Sequence, residues 1–148
     1  MKQTVQDEIV RQLSLNATLE KAWKAVGTVE GFEGWFLCKV IGDWTPGNIV
    51  TLQWPSGSTN EIRIVTIQPT TEFAYQWHPG GIAKIAEFPE AELTTVTMTL
   101  TPTEKGVDLL LRESGFSNIS EERRLKSIGM NTQGWDEEIE NIRKYIEA

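Results

Sequence analysis

The segment "TQGWDEEIENIRKYI", Thr132 to Ile146, decides the fold of this 148-residue chain. Its apolar residues recur at Trp135, Ile139, Ile142 and Ile146, and that spacing predicts one face of an amphipathic helix. Leu125, Ile128 and Thr132 extend the stripe backwards by steps of three and four. Asp136, Glu137, Glu140, Asn141 and Lys144 fall on the water side. The helical region is expected from about Ser120 to Glu147, a length of roughly 25 to 40 Å. Ser120 is a good N-cap, but Arg123 stands where a capping-box Glu would be. Met130 falls off the stripe, and Gly129 with Gly134 leaves open whether the helix is continuous or broken. Gly134 costs about 1 kcal/mol of helix propensity relative to Ala, which suggests that another segment passes close by. Trp135, directly behind it, has two readings: a large core residue, or the wall of a cavity.

The rest of the chain predicts what this helix packs on. "DEIVRQLSL" alternates as a strand. "NATLEKAWKAVG" reads as a short helix capped by Asn16 or Thr18 and ended by Gly27, with Trp23 as core filler. Gly31 and Gly34 allow only a second short helix, carrying Phe32, Trp35 and Phe36. Then come "CKVIGDW", "IVTLQW", "EIRIVTIQ", "EFAYQW", "ELTTVTMTLTP" and "KGVDLLLRES", separated by turn signals such as "TPGN", "PSGS" and "HPGG". The connections are short, so the strands are expected to form an antiparallel meander. A sheet with one apolar face needs a cover, and the last helix is the only element long enough to supply it.

Composition narrows the function. Hydrophobic residues make up 39% and charged residues 24%, which suits a single globular domain over 1–148. No run is long and apolar enough to insert in a membrane, and the N-terminus lacks a signal peptide's apolar core, so a cytoplasmic location is the default. Cys38 is the only cysteine and reads as a small buried residue rather than a nucleophile. A net charge of −7 argues against nucleic-acid partners. His78 is the only histidine and reads as an exposed turn residue, and no metal-ligand spacing or nucleotide-binding motif occurs, so no cofactor is expected.

Several of these segments together resemble a known family. "ATLEKAW", in which Ala17, Glu20 and Trp23 match and Thr18 replaces a usual proline, is one. "PTTEFAYQW" (Pro69 to Trp77), and "SGF" (Ser114 to Phe116) followed by the Gly-Trp pair, are the others. The chain resembles the START-like (SRPBCC) superfamily, and within it the family of the activator of the 90-kDa heat-shock chaperone ATPase. The resemblance implies an α+β, helix-grip (birch-pollen-allergen-like) fold. There, a curved antiparallel sheet wraps a long C-terminal helix, with a cavity between them and two short helices after the first strand. It implies a hydrophobic small-molecule ligand, or a chaperone or other protein as partner. At 148 residues the chain is expected to lack the activator's separate chaperone-binding domain. Some START-like relatives act on aromatic polyketides, so a cyclase or dehydratase is a further alternative.

Residue parity names the cavity candidates. Phe73, Tyr75 and Trp77 share one strand face, as do Val96, Met98 and Leu100, and as do Val107, Leu109, Leu111 and Glu113. With Trp35, Phe36, Trp44, Trp54, Trp135 and Ile139, the residues Phe73, Tyr75, Trp77, Met98, Leu111 and Glu113 form the expected ligand site. Glu113 has two readings. If inward, it needs a partner, for which Arg63 and Arg112 are candidates; if the strand frays, it is wet. Glu87, Glu90 and Glu92 read as solvated loop residues.

Overall fold

Alternation along the strands translates into one sheet with one buried face. The computed structural model describes residues 5–148. Residues 1–4, part of the segment read as lacking a signal peptide's core, lie outside the described residues. The strands are β1 (Glu8–Leu15), β2 (Lys39–Ile41), β3 (Ile49–Gln53), β4 (Thr59–Gln68), β5 (Glu72–Trp77), β6 (Thr94–Pro102) and β7 (Val107–Ser114). They form a seven-stranded sheet in the order β1-β7-β6-β5-β4-β3-β2, every pair antiparallel. Only the first strand leaves the meander, crossing to pair with the last. A register shift between Ile64 and Thr66 bends β4, the kind of irregularity that lets a sheet curve.

Two short helices fill the crossing from β1 to β2: α1 (Leu19–Gly27) and α2 (Val29–Phe36). Thr18 caps α1, accepting a hydrogen bond from the Lys21 amide at 3.2 Å. Gly31 lets the two helices touch, since a Cβ there would collide with the Lys24 carbonyl oxygen. Two indoles lock this corner: Trp35 Nε1 donates to the Ala25 carbonyl and Trp44 Nε1 to that of Gly27, each at 3.0 Å.

Helix α3 (Glu121–Glu147) runs unbroken through Gly129 and Gly134 for 27 residues, about 40 Å. It covers the concave face, and the whole is the helix-grip arrangement. Its second half packs as the stripe predicts, with Trp135, Ile139, Ile142 and Ile146 buried. In its first half Ile128 keeps to the stripe, partly buried against the core, but Leu125 does not. Leu125 is 78% exposed, and the other inward positions there are Ser127 and Asn131. The reason is polar docking. The Gly80 amide donates to Asn131 Oδ1 at 3.0 Å, and Ser127 Oγ donates to the Pro79 carbonyl at 3.4 Å. An apolar stripe cannot reveal a seam made of hydrogen bonds.

The turn after β5 holds two further corrections. His78 is buried, its Nε2 donating to the Ile85 carbonyl at 2.9 Å. Glu92 is not solvated: it binds Arg123 at 2.6 Å, and that guanidinium also lies 3.6 Å from the centre of the Phe88 ring. Glu87 and Glu90 are exposed, as expected.

Candidate functional site

The polar centre of the interior is Glu113. Strand parity turns it inward with Leu109 and Leu111, and it is fully buried. Neither candidate arginine reaches it, because Arg63 pairs with Glu90 at 2.6 Å and Arg112 with Glu8 at 3.4 Å. Four uncharged side chains bind it instead. Trp135 Nε1 donates to Oε1 at 2.7 Å, and Trp77 Nε1 and Thr94 Oγ1 donate to Oε2 at 2.8 and 2.5 Å. Asn131 Nδ2 spans both oxygens at 2.9 and 3.1 Å. All four neighbours donate, so Glu113 plays the all-acceptor part of a carboxylate.

Each element contributes one donor for a reason visible in its local structure. Trp77 ends β5 and Thr94 begins β6, and these two residues are register partners across the sheet. Asn131 and Trp135 stand four residues apart, one turn of α3, and so present side chains to the same point. The Asn131 amide is oriented by its other end, which accepts from Gly80. Thr94 and Asn131 are not legible in the sequence as site residues. Thr94 shares the inward parity of Val96, and Asn131 lies one turn before Trp135; both signals are visible only once Glu113 is known to point inward.

Above this carboxylate lies a cleft of about 220 Å³ that opens to solvent. It is lined by Phe36, Trp77, Met130, Asn131, Gly134, Trp135, Glu137 and Glu138. Nothing lies within 4 Å of the place a Gly134 Cβ would take. No strand passes close to Gly134, contrary to expectation. Instead, the missing side chain leaves the side of the cleft clear. A broader hollow of about 620 Å³ beside Ser14, Asn16 and the Thr103–Lys105 turn has neither aromatic wall nor buried polar group. Volume alone therefore does not pick the site.

Of the expected residues, Phe36, Trp77 and Trp135 line the cleft, and Glu113 lies beneath it. Trp35 and Trp54 back Phe36, the first stacked on it at 4.7 Å and the second edge-on at 5.0 Å. Trp44 stacks on Phe73 at 5.0 Å, away from the cleft lining. Phe73, Tyr75, Met98 and Leu111 are fully buried, and Ile139 is 9% exposed. Together they fill the space between sheet and helix, so the open volume sits at the rim of the grip. Trp23 is only partly buried, against the edge of the core.

Three titratable groups feel this environment. Burial raises Glu138 to about 7; the Asn141 amide donating to it at 2.6 Å works against the shift, and Glu137 adds to it. Burial pushes the Cys38 thiol up to about 12, with the carboxylates of Glu33 and Glu138 adding, which suits no nucleophile. The Tyr75 hydroxyl is raised well above its ordinary value by burial first and then by the Glu113 and Glu138 charges. That hydroxyl has no hydrogen-bond partner. Among the described residues, no group of His, Cys, Asp and Glu side chains is placed to hold a metal ion. No helix among them is long and apolar enough to cross a membrane.

Comparison with known proteins places this geometry. The sequence model of the family described as Activator of Hsp90 ATPase homolog 1-like protein matches residues 16–147. No curated protein matches the chain. Protein MLL2253 from Mesorhizobium loti has a crystal structure similar to this one, with a TM-score of 0.73 at 23% identity, over 94% of this chain and 96% of that one. The Aha1 dimer from Colwellia psychrerythraea gives 0.74 at 14% identity, over 96% and 97%. DynU16, from the dynemicin biosynthetic locus, gives 0.75 at 19% identity, over 97% of this chain and 48% of that one. At these identities the solved structures show a shared fold.

Proposed function

The chain belongs to the family of Activator of Hsp90 ATPase homolog 1-like proteins, and from that premise we propose that it binds a small apolar or aromatic molecule in the cleft beside Trp135. The observation that carries the reading is the pairing of Trp77 and Trp135. Both indoles are held by their N–H groups on one buried carboxylate, and both, though only 8% and 2% exposed, border the cleft. Side chains fixed in this way form a wall before a ligand arrives, which lowers the ordering cost of binding. The volume of about 220 Å³ is below the usual drug-sized range of about 300–1,000 Å³, so the ligand is compact.

Binding without chemistry is favoured by the state of Glu113. Both of its oxygens are engaged by protein donors, so it has no free position at which to take a proton from a substrate. Of the polar pairs a cyclase could use, Glu113 with Arg63 is not formed, because Arg63 lies with Glu90, and Glu113 with Tyr75 has its Tyr75 hydroxyl fully buried and without a hydrogen-bond partner.

The test is a thermal-shift screen of small apolar and aromatic compounds on the wild type and on Gly134→Leu in parallel. Position 134 has room for a side chain, and Leu restores helix propensity, so the variant folds with the cleft obstructed. Compounds are expected to raise the melting temperature of the wild type alone. Equal shifts in both proteins, or none in either, would rule the cleft out.

The family description favours a second reading, contact with a 90-kDa heat-shock chaperone. Ile41 and Ile49 are exposed on the outer face near the β2 edge and offer an apolar surface for it. An unchanged chaperone ATPase rate on adding the protein would end this reading.

A further inference from the structure

Resting on the cleft reading, the sign of the charge around the cleft names the chemical class of the ligand. Glu113 is a buried acid with no cation beside it; its partners are all uncharged. The arginines that might have served are committed to Glu8, Glu90, Glu92 and Asp136. Hydrogen bonds offset part of the cost of burying such a group, but they leave its negative potential in place, and a poorly solvated cleft carries that potential outward. Among the cleft-lining residues there is no Lys, Arg or His, and the two charged ones, Glu137 and Glu138, have the same sign as Glu113.

The walls suit the opposite charge. The rings of Phe36, Trp77 and Trp135 lie at the corners of a near-equilateral triangle, with centroids 6.2, 6.2 and 6.3 Å apart. A cation seated over that triangle is within about 6 Å of more than one ring centre, the range of a cation–π contact. An indole that donates its N–H to an acceptor gains electron density in the ring, which strengthens the attraction. The Met130 thioether adds a polarizable contact. The cleft has nothing comparable for an anion, since the Asn131 amide and both indole N–H groups are already spent on Glu113.

We propose that the cleft selects a compact organic cation, an ammonium group bearing carbon substituents, which lies on the Phe36–Trp77–Trp135 rings and compensates the Glu113, Glu137 and Glu138 carboxylates.

The test isolates charge from shape. Choline is titrated by calorimetry against its neutral carbon isostere, the alcohol in which tert-butyl replaces trimethylammonium. The titration is run at low salt and about pH 8, where Glu138 is ionised. Choline is expected to bind at least about tenfold more tightly than the isostere. That preference is expected to fall in Glu138→Gln and with added salt, and binding is expected to vanish in Gly134→Leu. If the isostere binds as well as choline and Gly134→Leu abolishes both, the cation assignment is overturned while the cleft reading stands. If neither probe binds, the cation assignment is likewise overturned, and the cleft reading is then decided by the compound screen. Glu137→Gln, an exposed substitution, checks the charge dependence should Glu138→Gln fold poorly.

Discussion

Replacing Glu113 by Gln exchanges one acceptor oxygen for an amide NH₂ of nearly the same shape. Trp135 and Asn131 donate to one carboxylate oxygen, and Trp77, Thr94 and Asn131 to the other. The Thr94 hydroxyl can rotate, but the Asn131 amide is held by the Gly80 N–H on its oxygen, and an indole N–H cannot become an acceptor. Whichever way the new amide sits, its NH₂ faces an indole N–H, at the 2.7 Å spacing of Trp135 or the 2.8 Å spacing of Trp77. One buried N–H left unpaired costs about 1–3 kcal/mol, and the remaining bonds lose their charge-assisted strength. Removal of a buried charge returns part of this. The expected net loss is about 2–3 kcal/mol, or a melting temperature lower by roughly 5–10 °C for a domain of this size. Glu113→Leu strands both indoles and is expected to cost more, about 3–5 kcal/mol. Urea unfolding followed by tryptophan fluorescence and far-ultraviolet circular dichroism measures both. A Gln variant within about 0.5 kcal/mol of wild type, or a Leu variant more stable than Gln, would refute the view that these donors are anchored by a carboxylate.

Other outcomes follow from the same geometry. Trp135→Phe keeps the ring and drops one donor, for a loss of about 1–2 kcal/mol, whereas Trp135→Ala empties a packed position and costs about 3–5 kcal/mol; equal losses from the two in urea titrations would contradict this. Gly134→Ala is expected to stabilise by about 0.5–1 kcal/mol because the site is open, and Gly31→Ala to destabilise because its Cβ meets the Lys24 carbonyl. Thermal melts of the two alanine variants check that opposition of sign. Glu138 has a folded value of about 7 against an ordinary 4.5, so between those values the folded chain holds a proton that the unfolded chain releases. Its contribution is therefore fully present below about pH 4.5 and is lost as pH rises through about 7. Urea midpoints taken across that window are expected to show this slope in the wild type and to lose it in Glu138→Gln.

The fold is legible in the sequence because its cues are apolar and periodic. The alternation in "EFAYQW" and "TVTMTL" fixes which faces are buried, and the stripe from Trp135 to Ile146 fixes how α3 lies. The stripe misleads at Leu125, which carries the matching spacing into solvent, and it omits the polar inward contacts Ser127 and Asn131, while Ile128 does pack on the core. His78 misleads because a histidine beside "PGG" looks like a turn tip, and only the folded 78–88 loop supplies the Ile85 carbonyl that buries it. The inward face of Glu113 follows from parity, but its partners do not. A buried acid suggests an arginine, and no pattern announces that two indoles, an amide and a hydroxyl converge from β5, β6 and α3. Gly134 reads as a close approach, and it marks an opening.

The most direct test of the central claim watches the indole N–H resonances of the six tryptophans while a compound from the thermal-shift screen is titrated in. Assignments come from single Trp→Phe replacements. The signals of Trp77 and Trp135 are expected to lie apart from the rest because they donate to a carboxylate, and to move with the ligand while Trp23 and Trp44 stay fixed. Movement of Trp23 or Trp44 with Trp77 and Trp135 unmoved would contradict a ligand site in the cleft above Glu113.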